Sequence, residues 1–211
     1  GQVAKASGLW FHVDGAYGLA GMLAPSTKPL FKGLELADSF IVDPHKWLYA
    51  PFDACALVYR DPEDGRKAHT QHGEYLDILT ETGDWNPSDY AYNLTRRPRG
   101  LPLWFSLATH GVAAYRDSIE TNNRVARQIA EVIRDTEGLE LVRDPELSVV
   151  VFVKNGWQLA DYEAWSAKLL ERGQAFVVPS SHNGKPNARF AIVNPQTTVE
   201  LLVAILNSMD E

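Results

Sequence analysis

The segment ADSFIVDPHKWLYAPFDACALVYRD, residues 37–61, contains two short apolar runs, at residues 39–42 and 54–59. The first run is followed by Asp-Pro and the second by Arg-Asp-Pro. Upstream, the run LWFHV at residues 9–13 is followed by Asp-Gly. Short apolar runs that stop at such residues are typical of buried strands. The sequence therefore predicts three strands in short α/β units.

The pattern changes after residue 61. Residues 61–95 are polar and without a sustained period, which predicts a long functional loop. Apolar residues then recur at helical spacing from Pro102 until Gly138. Beyond Gly138, strands are predicted at 149–153, 175–178 and 188–193, with helices at 159–169 and 198–209. This last stretch is typical of a small α+β domain.

Composition excludes several classes of protein. The 211 residues are 45% hydrophobic and 22% charged, which suits a packed core rather than a disordered tail. The net charge of −7 makes nucleic acid and anionic membranes poor partners. A single cysteine excludes an internal disulfide framework and a cysteine-rich zinc site, and the histidines show no metal-ligand spacing. We therefore expect no metal site, no membrane span and a cytoplasmic location.

Two reactive groups follow neighbouring predicted strands. Asp14 ends the first predicted strand. Lys46 lies in the turn that follows the second predicted strand. Ligands of open α/β sheets bind outside the carboxyl ends of strands, so both side chains face one crevice if the strands are adjacent. An amine and a carboxylate at one ligand suit pyridoxal phosphate, whose aldehyde reacts with the amine and whose ring nitrogen pairs with the carboxylate. The alternative is that Asp14 only caps a helix and Lys46 is a surface lysine.

Three motifs resemble the group II pyridoxal-phosphate decarboxylases, which include aromatic-amino-acid, tyrosine, histidine and glutamate decarboxylases. These are HVDGAYG at 12–18, the segment at 37–61 and RRPRGLPLWF at 96–105, and RFAIVNPQTT at 189–198 still fits. The resemblance implies pyridoxal 5′-phosphate as cofactor and decarboxylation of an L-amino acid to the amine and CO2. It also favours an aromatic substrate.

The same resemblance implies the domain organisation. Residues 1–100 correspond to the later part of a fold-type-I large domain, a mostly parallel sheet with helices on both faces, with an active-site loop at about 61–95. Residues 101–137 are linking helices, and residues 138–211 form the small C-terminal α+β domain. The loop that grips the phosphate and the histidine that stacks on the ring lie upstream in the family. We therefore expect an N-terminal half as partner and a homodimer of the complete protomer.

Roles near the cofactor are implied residue by residue. Lys46 in DPHKW is the Schiff-base lysine, and Asp14 pairs with the pyridine nitrogen. Ala16 packs against the ring, and His45 and Asp43 lie near the phosphate. Many relatives carry Asn where this chain has Asp43, and a carboxylate repels a phosphate. Asp43 therefore either acts through its backbone or points away.

Two further residues are implied for the substrate and the proton. Arg96 matches the arginine that receives the substrate α-carboxylate, with Arg97 and Arg99 as competitors for that role. Tyr75, in the polar loop, matches the tyrosine that protonates Cα in the neighbouring subunit's active site. Cys55 is interpreted as a small core residue with no acid or histidine beside it.

Two alternatives to the decarboxylase stay open. One is another fold-type-I enzyme such as an aminotransferase or a cysteine desulfurase, although a desulfurase needs a reactive loop cysteine. The other is a fragment that assembles or binds without chemistry.

Overall fold

A computed structural model describes residues 1–70 and 86–211. The chain divides into two compact units, of which the first comprises Gly1–Ala20 and Phe31–Gly111. The second comprises Gly21–Leu30 and Val112–Glu211. The fold class is α/β, as predicted. The division into 1–100, 101–137 and 138–211 stays a prediction.

The first unit contains a three-stranded sheet in the order β1-β2-β3. β1 (His12–Asp14) and β2 (Ser39–Val42) are parallel, with Asp14 opposite Ile41. β3 (Ala56–Tyr59) pairs antiparallel to β2. The three apolar runs therefore form strands as expected; β2 spans its whole run, whereas β1 and β3 are shorter than theirs.

Among its described residues, this unit contains α1 (Gln2–Ala6), α2 (Pro62–His69) and the first part of a long helix that begins at Gly100. The second differs from the expected loop, which begins at residue 61 in the sequence analysis. Asp61 caps the helix by accepting from the Glu63 N–H at 3.0 Å, and proline occupies the first turn. Acidic residues lie in the first turn and basic residues in the last, which complements the helix dipole. The capping residue, the proline and the charges at the two ends of the helix, rather than an apolar face, therefore specify α2.

The long helix α3 (Gly100–Asp135) is interrupted at Gly111. Gly111 has φ 74° and ψ 158°, a conformation that glycine adopts without steric cost. The predicted helix between Pro102 and Gly138 is thus present, but it consists of two helical segments that join at this glycine.

The second unit contains a four-stranded antiparallel sheet in the order β4-β5-β7-β6. Its strands are β4 (Leu139–Leu141), β5 (Val149–Lys154), β6 (Ser180–His182) and β7 (Lys185–Ala191). The strand predicted at 175–178 is wrong, because no strand is present there and β6 begins at Ser180. A tight turn at Asn183 and Gly184, with φ of 50° and 75°, joins β6 to β7. Asn-Gly suits a two-residue hairpin turn, and this turn fixes where the two strands pair.

Helices α4 (Leu159–Glu171) and α5 (Val199–Asn207) complete the core of this unit. Ile129 and Ile133 of α3, Phe152 of β5 and Tyr162 of α4 are fully buried in one cluster. Residues that the sequence analysis assigns to linking helices therefore pack in the same core as the sheet. The remaining short elements are 3₁₀ helices at Gly18–Leu23, Lys28–Phe31, Leu34–Leu36, Pro87–Tyr90 and Ser208–Asp210. Within residues 1–70 and 86–211, no helix has the length and apolar character to span a membrane.

Candidate active site

The carboxyl ends of β1 and β2 lie side by side. Beyond the strands, the Gly15 N–H donates to the Ile41 carbonyl at 3.1 Å. The Asp43 N–H donates to the Ala16 carbonyl at 3.0 Å. These bonds keep the two segments together after the strands end, so that Asp14, Ala16 and Asp43 share one edge of the sheet.

Lys46 lies in the turn that follows β2. Its N–H donates to the Asp43 carbonyl at 2.9 Å, and its Nζ pairs with Asp43 Oδ2 at 2.7 Å. The next residue, Trp47, is fully buried and stacks on Tyr17, with ring centroids 5.0 Å apart. This stacking joins the turn to the segment after β1. The structure therefore brings Lys46 to the edge that carries Asp14, as the sequence predicts for adjacent strands.

The Asp43 carboxyl is only 12% exposed and is held as an anion. Burial raises its pKa, but hydrogen bonds from Lys46 and Cys55, together with the charges of Lys46 and His45, outweigh burial and hold the pKa below its usual value. A carboxylate in this state repels a phosphate. The expected place of Asp43 near the phosphate stays a prediction, and it suits the backbone of Asp43 better than the side chain.

The interpretation of Cys55 as a core residue without an acid beside it is wrong. Cys55 is exposed and lies just before β3. Partial burial, hydrogen bonding to Asp43 and the negative charge of Asp43 raise the pKa of the Cys55 thiol, so an acid does act on it. A thiol with a raised pKa is a poor nucleophile, which argues against a desulfurase role.

Asp14 is exposed at the end of β1. Its Oδ1 accepts from the Ala16 N–H at 3.1 Å, which fixes the direction of the carboxyl group. Ala16 has a small side chain and lies next to this carboxylate. A cationic nitrogen is the partner that suits an oriented carboxylate.

His45 borders a cavity of about 720 Å³ in the first unit. Its Nδ1 is hydrogen-bonded to the backbone of Ala54, and its ring meets Phe52 edge-on at 5.0 Å. The cavity is also lined by Cys55, His69, Tyr92 and Arg96. The structure therefore brings His45 and Arg96 to one cavity, although they lie fifty residues apart in sequence.

Backbone carbonyls hold the guanidinium of Arg96. Its Nη1 donates to the Asn93 carbonyl at 2.9 Å, and its Nη2 donates to the Pro87 carbonyl. The competing arginines line the same cavity but are paired with a carboxylate, because Arg97 and Arg99 both contact Asp53, at 2.8 and 3.1 Å.

Asp53 is a residue that the sequence analysis missed. Its carboxylate joins the loop before β3 to the RRPR segment, and hydrogen bonding to Arg99 lowers its pKa. An aspartate within FDA, distant in sequence from an arginine cluster, carries no local signal of this contact.

Tyr75 lies outside the described residues, so its predicted role stays a prediction. Among residues 1–70 and 86–211, no group of three or more His, Cys, Asp or Glu side chains could hold a metal ion.

Comparison with known proteins identifies the family. A model described as the pyridoxal-dependent decarboxylase conserved domain matches residues 1–155. The chain belongs to this family. An aromatic-L-amino-acid decarboxylase of Bacillus atrophaeus is 29% identical over 94% of this chain and 43% of its own length. A phenylacetaldehyde synthase of Petunia hybrida is 29% identical over 93% of this chain and 42% of its own length.

Solved structures of the decarboxylase family share this fold. The crystal structure of Oryza sativa TDC with PLP and tryptamine matches with a TM-score of 0.87 at 25% identity. It covers 99% of this chain, and this chain covers 46% of it. The chain therefore spans less than half the length of each of these three relatives.

The residues at the sheet edge fit the cofactor of the decarboxylase family, pyridoxal phosphate. Lys46 supplies an amine that is 42% exposed, and Asp14 supplies an oriented carboxylate on the adjacent strand. Ala16, whose N–H is bonded to Asp14, carries a small side chain. The donor set thus matches the aldehyde and the ring nitrogen of the cofactor.

Proposed function

We propose that this chain is the lysine-bearing part of a pyridoxal 5′-phosphate-dependent decarboxylase that converts an L-amino acid to its amine and CO2. The observation that carries the proposal is the placement of Asp14 and Lys46 at the carboxyl ends of two paired parallel strands. Membership of the decarboxylase family supports the same activity.

Each residue has a chemical role in this proposal. When bound, pyridoxal phosphate supplies an electron sink for the charge left at Cα as CO2 departs. Asp14 holds the proton on the ring nitrogen by charge pairing, and Lys46 anchors the ring through its amine. Ala16 packs on the ring, and the planar fork of Arg96 binds the substrate α-carboxylate. His45, whose Nδ1 is hydrogen-bonded to the Ala54 backbone, lies near the cofactor phosphate in this proposal.

The proposed substrate is an aromatic L-amino acid. Two of the relatives support it, namely the aromatic-L-amino-acid decarboxylase and the rice enzyme crystallised with tryptamine.

An upstream segment of the same enzyme and a second protomer complete the proposed site. Part of the first unit presents apolar side chains to solvent, with Trp104 60% and Phe105 56% exposed on α3. Exposed apolar surface of this kind is typical of an interface. We propose that the partner protomer's active site receives Tyr75 as the proton donor to Cα. A cytoplasmic location is part of the same proposal.

A second candidate activity is oxidative formation of an aldehyde. The phenylacetaldehyde synthase is as similar to this chain, at 29% identity, as the bacterial decarboxylase is. A tyrosine at position 75 favours decarboxylation, because its phenol can return a proton to Cα.

The test supplies the complete protein with pyridoxal 5′-phosphate and, separately, L-tryptophan, L-phenylalanine, L-tyrosine, L-histidine and L-glutamate. We expect amine and CO2 in equal amounts, without oxygen consumption, and fastest with an aromatic substrate. Aldehyde formed with oxygen consumption would establish the second candidate. Absence of CO2 from all five substrates would overturn both.

A further inference from the structure

A cluster of three residues lies at the carboxyl end of β2. Asp43 Oδ2 pairs with Lys46 Nζ at 2.7 Å, and the charges of Asp43 and Lys46 both act on the Cys55 thiol. Asp43 is 12% exposed, whereas the Lys46 side chain is 42% exposed. The cluster thus combines a largely buried carboxylate, an ammonium paired with it and an exposed cysteine.

The positions of the partners hold the Asp43 carboxylate in one direction. The backbone N–H of Asp43 is bonded to Ala16, and its carbonyl accepts from Lys46. Cys55 directly precedes β3, whose first residue Ala56 pairs with Val42 of β2 beside Asp43. The charged groups that act on Asp43 are Lys46 and His45, and those that act on Cys55 are Asp43 and Lys46. Lys46 is therefore the cation whose charge acts on both.

We propose that Asp43 is a positioning residue that holds the Lys46 amine at the sheet edge before the cofactor binds, and that the exposed Cys55 thiol reports this pairing. The meaning of this pair for catalysis rests on the proposed function. The pair must open before Lys46 can bond the cofactor aldehyde, where a C=N bond forms and the carbonyl oxygen leaves as water. An uncharged amide holds an ammonium less tightly than a carboxylate does, so uptake of the cofactor is faster in Asp43→Asn.

The first test measures alkylation of Cys55 by iodoacetamide in the cofactor-free complete protein, followed by mass spectrometry of the peptide that contains Cys55. Only the thiolate reacts, and the charge of Asp43 opposes its formation while the charge of Lys46 favours it. We expect Asp43→Asn to react about tenfold faster at neutral pH, because removal of the carboxylate lowers the pKa of the thiol. Lys46→Met is expected to react several-fold more slowly than the unmodified protein.

The alkylation rate is expected to rise in Asp43→Asn and to fall in Lys46→Met. A general loosening of the fold would instead raise the rate in both variants. Asp64→Asn is the matched control, because Asp64 and Lys67 form a similar pair three residues apart on α2, with Nζ–Oδ1 of 4.0 Å. This control is expected to react at the rate of the unmodified protein. Equal rates in all variants, acceleration in both Asp43→Asn and Lys46→Met, or no effect of Lys46→Met would each overturn the proposal.

The second test follows uptake of pyridoxal 5′-phosphate by absorbance. Faster uptake in Asp43→Asn than in Asp64→Asn supports the positioning role, and equal or slower uptake contradicts it. Failure of the unmodified protein to take up the cofactor would count against the proposed function. The alkylation rates would still decide whether Asp43 holds Lys46.

Discussion

Replacing Asp14 by Asn removes one charge at the sheet edge and changes little else. In the structure Asp14 Oδ1 accepts from the Ala16 N–H at 3.1 Å, and the amide oxygen of Asn can accept the same bond. We therefore expect the fold and the orientation of the side chain to persist. What is lost is the pairing of a carboxylate with a protonated ring nitrogen.

The size of the loss follows from that charge pair. Two unit charges about 4 Å apart interact by about 4 kcal/mol at an effective dielectric constant of about 20. Asp14 is exposed in the chain, so we take about 3 kcal/mol. A loss of about 3 kcal/mol of transition-state stabilisation corresponds to a turnover about 100-fold lower.

The assay compares kcat of Asp14→Asn with that of Asp38→Asn. Asp38 is a matched control because its Oδ2 also accepts a backbone N–H, that of Phe11 at 2.7 Å, at the opposite end of the same two strands. Thermal unfolding of both variants checks the fold. A kcat within about threefold of the parent for Asp14→Asn would refute the reasoning, and Asp14 would then be only a strand-end cap.

Three further predictions concern the substrate arginine, the core and the dependence of stability on pH. Arg96→Lys replaces a planar fork by a single ammonium and should raise KM about tenfold with a smaller change in kcat; an unchanged KM in steady-state kinetics would exclude Arg96 as the carboxylate ligand. Phe152→Ala empties a fully buried position and should lower the free energy of unfolding by about 3–5 kcal/mol in urea titrations; a loss below about 1 kcal/mol would mean that the core collapses into the space. The pKa of Asp43 is lowered in the fold, so its ionisation stabilises the native state above the pKa of an unfolded aspartate, and this contribution disappears as the pH falls through the lowered value. The difference in unfolding free energy between the parent and Asp43→Asn should therefore shrink as the medium is acidified, and a difference independent of pH would contradict this.

The strands that position the site could be predicted from the sequence. The runs at 9–13 and 39–42 both end at an aspartate followed by glycine or proline, so both the strand and its carboxyl end are encoded locally. For this reason the placement of Asp14 and Lys46 at one edge required only that β1 and β2 be neighbours, and they are.

Contacts between distant segments could not be predicted in this way. The effect of Asp43 on Cys55 depends on the antiparallel pairing of β2 and β3, which no local pattern specifies. The pairing of Asp53 with Arg97 and Arg99 joins two loops and has no periodicity.

The sequence contains signals for the start of α2 and for the turn after β6, but both elements are polar, so hydrophobicity does not reveal them. Helix α2 begins at a capping aspartate and a proline, yet it has no apolar face to reveal it. The strand β6 is polar as well, and the Asn183-Gly184 turn marks its position better than hydrophobicity does.

The central claim is that Lys46 is the residue that binds the cofactor. The most direct measurement is reduction of the complete, cofactor-loaded protein with borohydride, followed by proteolysis and mass spectrometry of the peptides. We predict that the pyridoxyl group is found on the peptide that contains Lys46 and is absent after Lys46→Met. A pyridoxyl group on Lys28, Lys32 or any other lysine of the loaded protein would contradict the claim.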